Sequence, residues 1–467
     1  MPAIIDAPPA RSTLPVAPER VYLSEVVAAL SYALDITEGQ PEGHAVRSCL
    51  IGMRLADALG LTSTQRSALF YALLLKDLGC SSNAARICQL FGADDLTYKH
   101  DVKLRDWADF PQSMVDLIRS LAPDGSPLDR VALLVKLGVE GGGAAVRQLF
   151  EVRCHRGAAI ALQLGFGPET AAAISALDEH WDGRGSPAGL RGEVIPLLGR
   201  ILCLAQTVEI FASNLGLDAA RRMAEKRRGT WFDPALVDAM EPLWEDHALW
   251  HAFSGDARQA LAAYRPDDRE LRADDTMLDR LAEAFAQVID AKSPWTFAHS
   301  TGVAEKAVGA GTIMGLSPAE LRDLRRAALL HDIGKLGVSS RILDKPGRLS
   351  AEEMAAMRQH ARYTREILER VDCFRDLAYV ASLHHERLDG SGYPYGLRGA
   401  ELPLAARLLA VADCCDALCA ERPYRRALPW PEVRAILLRE AGTGLCAESV
   451  AALCAFMDAS AAPHARA

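Results

Sequence analysis

HSTGVAEKAVGAGTIMGLSPAELRDLRRAALLHDIGKLGVSSRI opens at His299, and HAVRSCLIGMRLADALGLTSTQRSALFYALLLKDLGCSSNAARI opens at His44. The two stretches align without a gap: Gly60 falls on Gly315, Asp77 on Asp332, Gly79 on Gly334 and Arg86 on Arg341. The agreement resumes downstream, where DGRGSPAGLRGEVIPLLGRIL from Asp182 matches DGSGYPYGLRGAELPLAARLL from Asp389. A last echo pairs GTWFDPALV at Gly229 with GTGLCAESV at Gly442. Recurrence of this kind reads as one supersecondary unit used twice. The copies span 21–265 and 270–459 and join near the polar stretch 265–275. Between Ile87 and His155 the first copy carries an insertion with no interpretable motif. Its Gly-rich GVEGGG follows no strand and lacks a P-loop lysine, so it reads as a flexible loop.

The repeated unit is helical. Leu23, Val26, Val27, Leu30 and Leu34 recur at helical spacing, as do Leu278, Leu281, Phe285, Val288 and Ile289. Alternating apolar segments and hairpin signals that would organise a sheet are few. The fold class is therefore all-α, two tandem helical bundles behind a Pro- and Ala-rich lead-in over 1–20 that reads as disordered. Half of the 467 residues are apolar, enough for real cores, and the formal charge of −9 argues against general nucleic-acid binding. Eleven cysteines, an odd number without a CxxC pair, read as reduced thiols of a cytoplasmic protein. The first residues lack a signal-peptide pattern, and the most apolar stretch, near 402–419, is broken by Arg407, Asp413 and Asp416. No membrane association is expected.

The chemistry gathers in the second copy. It holds His299, His331, His360, His384 and His385, with His331-Asp332 inside HDIGK, the histidine pair inside HHERLDGSGYP, and Asp413 inside AVADCCDAL. Inward-facing imidazoles and carboxylates from several helices are how bundles build metal sites. Mixed His/Asp donors suit Fe, Mn, Co, Ni or Zn better than Mg or Ca. Lys335 follows His331 by four residues and Asp332 by three, so on a helix it shares their face and can hold a phosphate oxygen beside a metal. Asp416, three residues past Asp413, reads equally as a support for a ligand or as a surface group. The cluster Cys414, Cys415 and Cys419 reads as small buried side chains.

These motifs, with KPGRLS, GLRGAELPL and RPYRRA, resemble the HD-GYP domain, a subfamily of the HD metal-dependent phosphohydrolases, over residues 295–426. The resemblance implies hydrolysis of a cyclic dinucleotide, chiefly cyclic di-GMP, to pGpG or onward to GMP, through a metal-bridging hydroxide. It implies two divalent transition-metal ions, Fe or Mn. His299, His331, Asp332 and Asp413 would hold one, and Asp332, His360, His384 and His385 the other. Lys335 would neutralise charge developing on the phosphate. Tyr393 would lie near the substrate, and Arg422 and Arg425 match phosphate and guanine contacts. Some family members place a glutamate four residues before the first ligand histidine to hold a third metal; here that residue is Trp295, so two metals are expected.

The first copy has lost these groups. Lys76-Asp77 stands for His331-Asp332, Cys80 for Lys335, Leu177-Asp178 for the histidine pair, Gln206 for Asp413 and Ser186 for Tyr393. His44, Asp77 and, allowing a two-residue gap, His155 survive, too few for a binuclear centre. The expectation is thus a catalytic second copy with a degenerate first copy as regulatory or packing partner, acting alone, as a homodimer or with a signalling protein. Two alternatives stand beside cyclic di-GMP hydrolysis: another cyclic dinucleotide such as cyclic GMP-AMP as substrate, and a non-catalytic sensor or scaffold.

Overall fold

The computed structural model describes residues 22–104, 121, 126–139, 142–266, 274–296, 298–422 and 425–461. The lead-in over 1–20 lies outside the described residues, as does most of the junction 265–275. The described chain is built of helices joined by turns and loops; isolated β-bridges such as Asp389 with Arg398 occur, but no strand among the described residues. None of the described helices is long and apolar enough to cross a membrane. The chain divides into two compact units, residues 21–280 with 339–341 and residues 281–338 with 342–467. That partition falls inside the helix Asp275–Asp290, beyond the polar stretch 265–275.

The repeat is visible in local chemistry. Thr62 with Gln65 and Ser317 with Glu320 form capping boxes at aligned positions, satisfying the first amides of Ser63–Leu75 and Pro318–Leu330. The helices before them, His44–Ala58 and His299–Ile313, are entered through a left-handed residue, Gly43 at φ 84° and Ala298 at φ 58°. Glycine adopts that region freely, whereas alanine pays roughly 1 kcal/mol for it. The sharp entry places His44 and His299 at the first turn of their helices.

In the second unit His299–Ile313 packs on Pro318–Leu330, Leu404–Cys419 and Ala447–Ala461. Ala304, Ala307, Ala310 and Ala327, Ala328 are buried, and such small side chains let the helix axes approach closely. The helix Ala351–Leu368 lies on the 3-10 turn Ile333–Gly337 and on Arg375–Ser382. Gly334 makes the first of these contacts possible: a Cβ there would sit 1.9 Å from the His360 carbonyl oxygen. In the first unit, likewise, His44–Ala58 packs on Ser63–Leu75 and Leu197–Leu215.

Two readings of the first copy change. The described part of GVEGGG is helical, Gly138 and Val139 closing Pro127–Val139 and Gly142 and Gly143 opening Gly142–Gln163. The second concerns His155. A Cβ on Gly79 would meet the Arg153 carbonyl oxygen at 1.9 Å and the Gly157 amide, as one on Gly334 would meet His360 oxygen and the Thr364 amide. Arg153, not His155, therefore occupies the place of His360. His155 is exposed, two residues further round the helix.

Candidate metal centre

Five helix ends and faces converge on the second unit's cluster. His331 caps the C-terminus of Pro318–Leu330, and His384 and His385 come just after Leu383, the C-cap of Arg375–Ser382. His360 lies within Ala351–Leu368, Asp413 within Leu404–Cys419 and His299 at the start of its own helix. His331, His360 and His384 use one device. Each donates Nδ1–H to the carbonyl three residues back: Ala328 at 2.7 Å, Met357 at 2.6 Å and Ala381 at 2.7 Å. Ala328 and Ala381 sit in the last turns of their helices, where carbonyls lack helical partners, whereas Met357 lies inside Ala351–Leu368 and its carbonyl is shared; in each case the bond fixes the tautomer with Nε2 bare and turned inward.

The inward nitrogens surround Asp332. Its Oδ1 lies 3.6 Å from both His360 Nε2 and His384 Nε2. Its Oδ2 lies 3.3 Å from His331 Nε2 and 3.6 Å from His299 Nε2, and it receives the Lys335 ammonium. Asp413 Oδ1 is 3.3 Å from His299 Nε2, and its Oδ2 is 3.9 Å from His385 Nδ1. Donor atoms of His299, His331 and Asp332 lie within 4.8 Å of one another, as do those of His360, His384 and His385 and of His331, His384 and Asp413.

The residues fit a metal. His331 Nε2 and Asp332 Oδ1 are buried without a hydrogen-bond partner among the described residues, which costs about 1–3 kcal/mol per atom unless something else meets them. Three imidazoles with bare Nε2 atoms and two carboxylates form a donor set for a borderline transition metal. Electrostatics agree. Burial alone would neutralise Asp332 and Asp413, yet the facing histidines, with Lys335 beside Asp332, hold both well below the usual carboxylate range. Burial first, and the neighbouring His385 second, push His360 down to about 3, and burial pushes His385 down to about 4.

Behind these groups stand residues that the sequence left open or passed over. Asp416 accepts the His299 Nδ1 proton at 2.6 Å and is itself paired with Lys306 at 2.9 Å. Against the burial penalty, Asp413 and Asp416 push His299 up to about 9. Thr364 donates to the His331 carbonyl at 2.8 Å and accepts from the Gly334 amide at 3.0 Å, tying the helix to the HDIGK turn. Glu386 accepts from the amides of Tyr395, Gly396 and Leu397 at 2.6, 3.1 and 3.1 Å and so shapes the loop after the histidine pair. Its signal was available: Glu179 in the first copy accepts from Ala188 and Leu190 in the same way.

That loop, with a cis bond between Tyr393 and Pro394, brings the Tyr393 ring to 4.8 Å from His385. The Arg358 guanidinium covers the tyrosine ring at 5.1 Å. Arg425 behaves otherwise than the resemblance implied. Its guanidinium donates to the carbonyls of Ala417 at 2.7 Å, Leu418 at 3.0 Å and Arg426 at 2.8 Å. It therefore closes the C-terminus of Leu404–Cys419, where carbonyls lack helical partners and a cation is favoured. The Arg422 backbone pairs with that of Arg425, and its side chain makes no hydrogen bond or ion pair among the described residues.

The HD domain family model matches residues 144–236 and 283–445, falling in both copies. The chain is 42% identical to the 3'3'-cGAMP-specific phosphodiesterase 3 of Vibrio cholerae over 92% of its own length and 94% of that protein. A crystal structure of a cyclic GMP-AMP-specific phosphodiesterase of V. cholerae superposes with a TM-score of 0.65 at 36% identity, covering 94% of this chain and 98% of that one. A cyclic di-GMP phosphodiesterase response regulator of Xanthomonas campestris is 44% identical over 28% of this chain and 35% of its own. This chain belongs to the HD domain family, in its HD-GYP branch.

Proposed function

We propose that the chain is a metal-dependent phosphodiesterase of cyclic dinucleotides and that its substrate is 3'3'-cyclic GMP-AMP. The observation that carries the substrate is the 42% identity to a cGAMP-specific relative across both copies, 92% of the chain. Likeness to the cyclic di-GMP enzyme is confined to 28% of it. This favours the alternative weighed in the sequence over cyclic di-GMP. The ligand set and Lys335 do not choose a base, because they address phosphate.

Two metals are proposed. His299, His331, Asp332 and Asp413 would hold one, Asp332, His360, His384 and His385 the other, and no third is expected beside the partly exposed Trp295. Bound there, the ions would lower the pKa of a water toward neutrality and offset charge on the phosphoryl oxygens. The protein supplies the rest. Asp332 stays ionised and is shared between the two donor groups. Lys335, whose ammonium reaches Asp332 at the half-buried edge of the cluster, is placed to bind a non-bridging phosphate oxygen. Tyr393 would pack against the nucleotide. Arg422, whose guanidinium has no partner among the described residues, would meet phosphate or base, whereas Arg425 would act by holding the Arg422 loop.

The test is a substrate panel with protein loaded anaerobically with Fe(II) or Mn(II). Cleavage of 3'3'-cyclic GMP-AMP to its linear dinucleotide, at least tenfold faster than that of cyclic di-GMP, is the expected result. Preference for cyclic di-GMP would restore that substrate, and tight binding without turnover by metal-loaded protein would favour a sensor.

A further inference from the structure

The first copy's centre places buried cationic side chains where the second copy has metal-type donors. Lys76 stands where the second copy has His331, and Arg153 where it has His360. Both are buried, at 2% and 8% exposure. The Lys76 ammonium lies 2.8 Å from His44 Nε2 and pairs with Asp77, the two groups aligned with His299 and Asp332. The other His44 nitrogen pairs with Glu209, which stands at the Asp416 position and is also held by Arg47 at 2.7 Å. The Arg153 guanidinium pairs with Asp178, at the place of His385, and approaches Glu38 to 3.7 Å. Ammonium and guanidinium groups donate protons and offer no lone pair to a metal.

We propose that Lys76 and Arg153 are built-in cations at the places of two metal ligands, so that the first copy neutralises its buried carboxylates without binding metal. The arrangement explains why His44, Asp77 and the carboxylate behind the histidine persist while the other ligands have gone: a fixed cation needs the same partners as a bound one. It also predicts a unit whose fold is indifferent to chelators. The inference relies on the metal reading of the second copy only to identify the two places. One group competes with it, Glu38, Asp77 and Cys80, whose donor atoms lie within 4.8 Å of one another. Those carboxylates already face Lys103 at 2.5 and 3.9 Å, and Lys99 lies 3.5 Å from Glu38.

The experiment uses the full chain with Asp332→Ala and His384→Ala together, which removes second-copy donors and leaves the first copy untouched. After incubation with Mn(II) or Zn(II) and desalting, the expected metal content is near zero, against loaded unmutated protein. Retention of about one metal per chain that persists when Asp413→Ala is added would overturn the proposal, whereas retention lost with Asp413→Ala belongs to the second copy. An unmutated chain that takes no metal would instead refute the proposed function and leave this inference standing. A second arm uses Lys76→Met, which keeps length and removes charge. It should lower the chain's thermal transition by several degrees with or without EDTA, and added Mn(II) should not restore it. A Lys76→Met chain as stable as the unmutated one, or one rescued by Mn(II), would contradict the proposal. If that variant does not fold, the metal count decides alone.

Discussion

His299 donates Nδ1–H to the Asp416 carboxylate, where His331, His360 and His384 donate to carbonyls of their own helices. A carboxylate behind an imidazole orients the ring and raises its basicity as a ligand, and removing such a partner typically costs roughly 10–100-fold in metal affinity. Asp416→Asn should weaken Mn(II) binding by that factor in a direct titration, with little change in thermal stability. Unchanged affinity would reduce Asp416 to a buried structural partner of Lys306. Residue identity made much of this legible. Histidine, aspartate and lysine in HDIGK and HHERLDGSGYP announce their chemistry, and the structure gathers those side chains within a few ångströms. Arg425 was illegible, because an arginine's partners are tertiary: its guanidinium serves helix carbonyls at Ala417 and Leu418 that no spacing rule singles out.

At the scale of elements, the centre depends on how closely one helix can approach one turn. The helix Ala351–Leu368 meets the HDIGK turn through Gly334, with Thr364 bonded across the contact. Gly334→Ala would place a Cβ 1.9 Å from the His360 oxygen, backbone that cannot swing aside. The helix must move, taking His360 away from Asp332. Loss of at least a hundredfold in turnover is expected, with a stability cost of about 1–3 kcal/mol by denaturant titration. Gly347→Ala is the matched control, since nothing lies within 4 Å of its would-be Cβ. Equal effects of both changes would rule out this packing argument. The gapless half of the repeat was readable for the same reason: capping boxes and HDIGK-type turns fix register. The helix carrying His155 has no such anchor. A two-residue gap could be placed to match histidine with histidine, and only the Gly79 contact shows that Arg153 holds the position.

For the whole molecule, the two copies offer the same fold under two charge schemes, one calling for metal and one supplying its own cations. The second scheme has a pH signature. Burial would raise Glu209, but His44 and Arg47 hold it down at about 2; burial would raise Asp77, but Lys76 and Lys103 hold it at about 2. A folded-state pKa below the unfolded one adds stability that is present above the unfolded value, near 4, and is lost as pH falls toward 2. Melting temperatures measured across that window should fall, and Glu209→Gln should flatten the decline. A slope that Glu209→Gln leaves unchanged would count against an ionised Glu209 in the fold.

Cleavage of 3'3'-cyclic GMP-AMP by Mn(II)- or Fe(II)-loaded protein, unmutated beside Asp332→Ala, tests the central claim most directly. Asp332 joins both donor groups and receives Lys335. Linear dinucleotide from the unmutated chain is expected, with at least a thousandfold loss in a folded Asp332→Ala chain with depleted metal. Turnover by that variant at the unmutated rate would place the chemistry elsewhere and contradict the account.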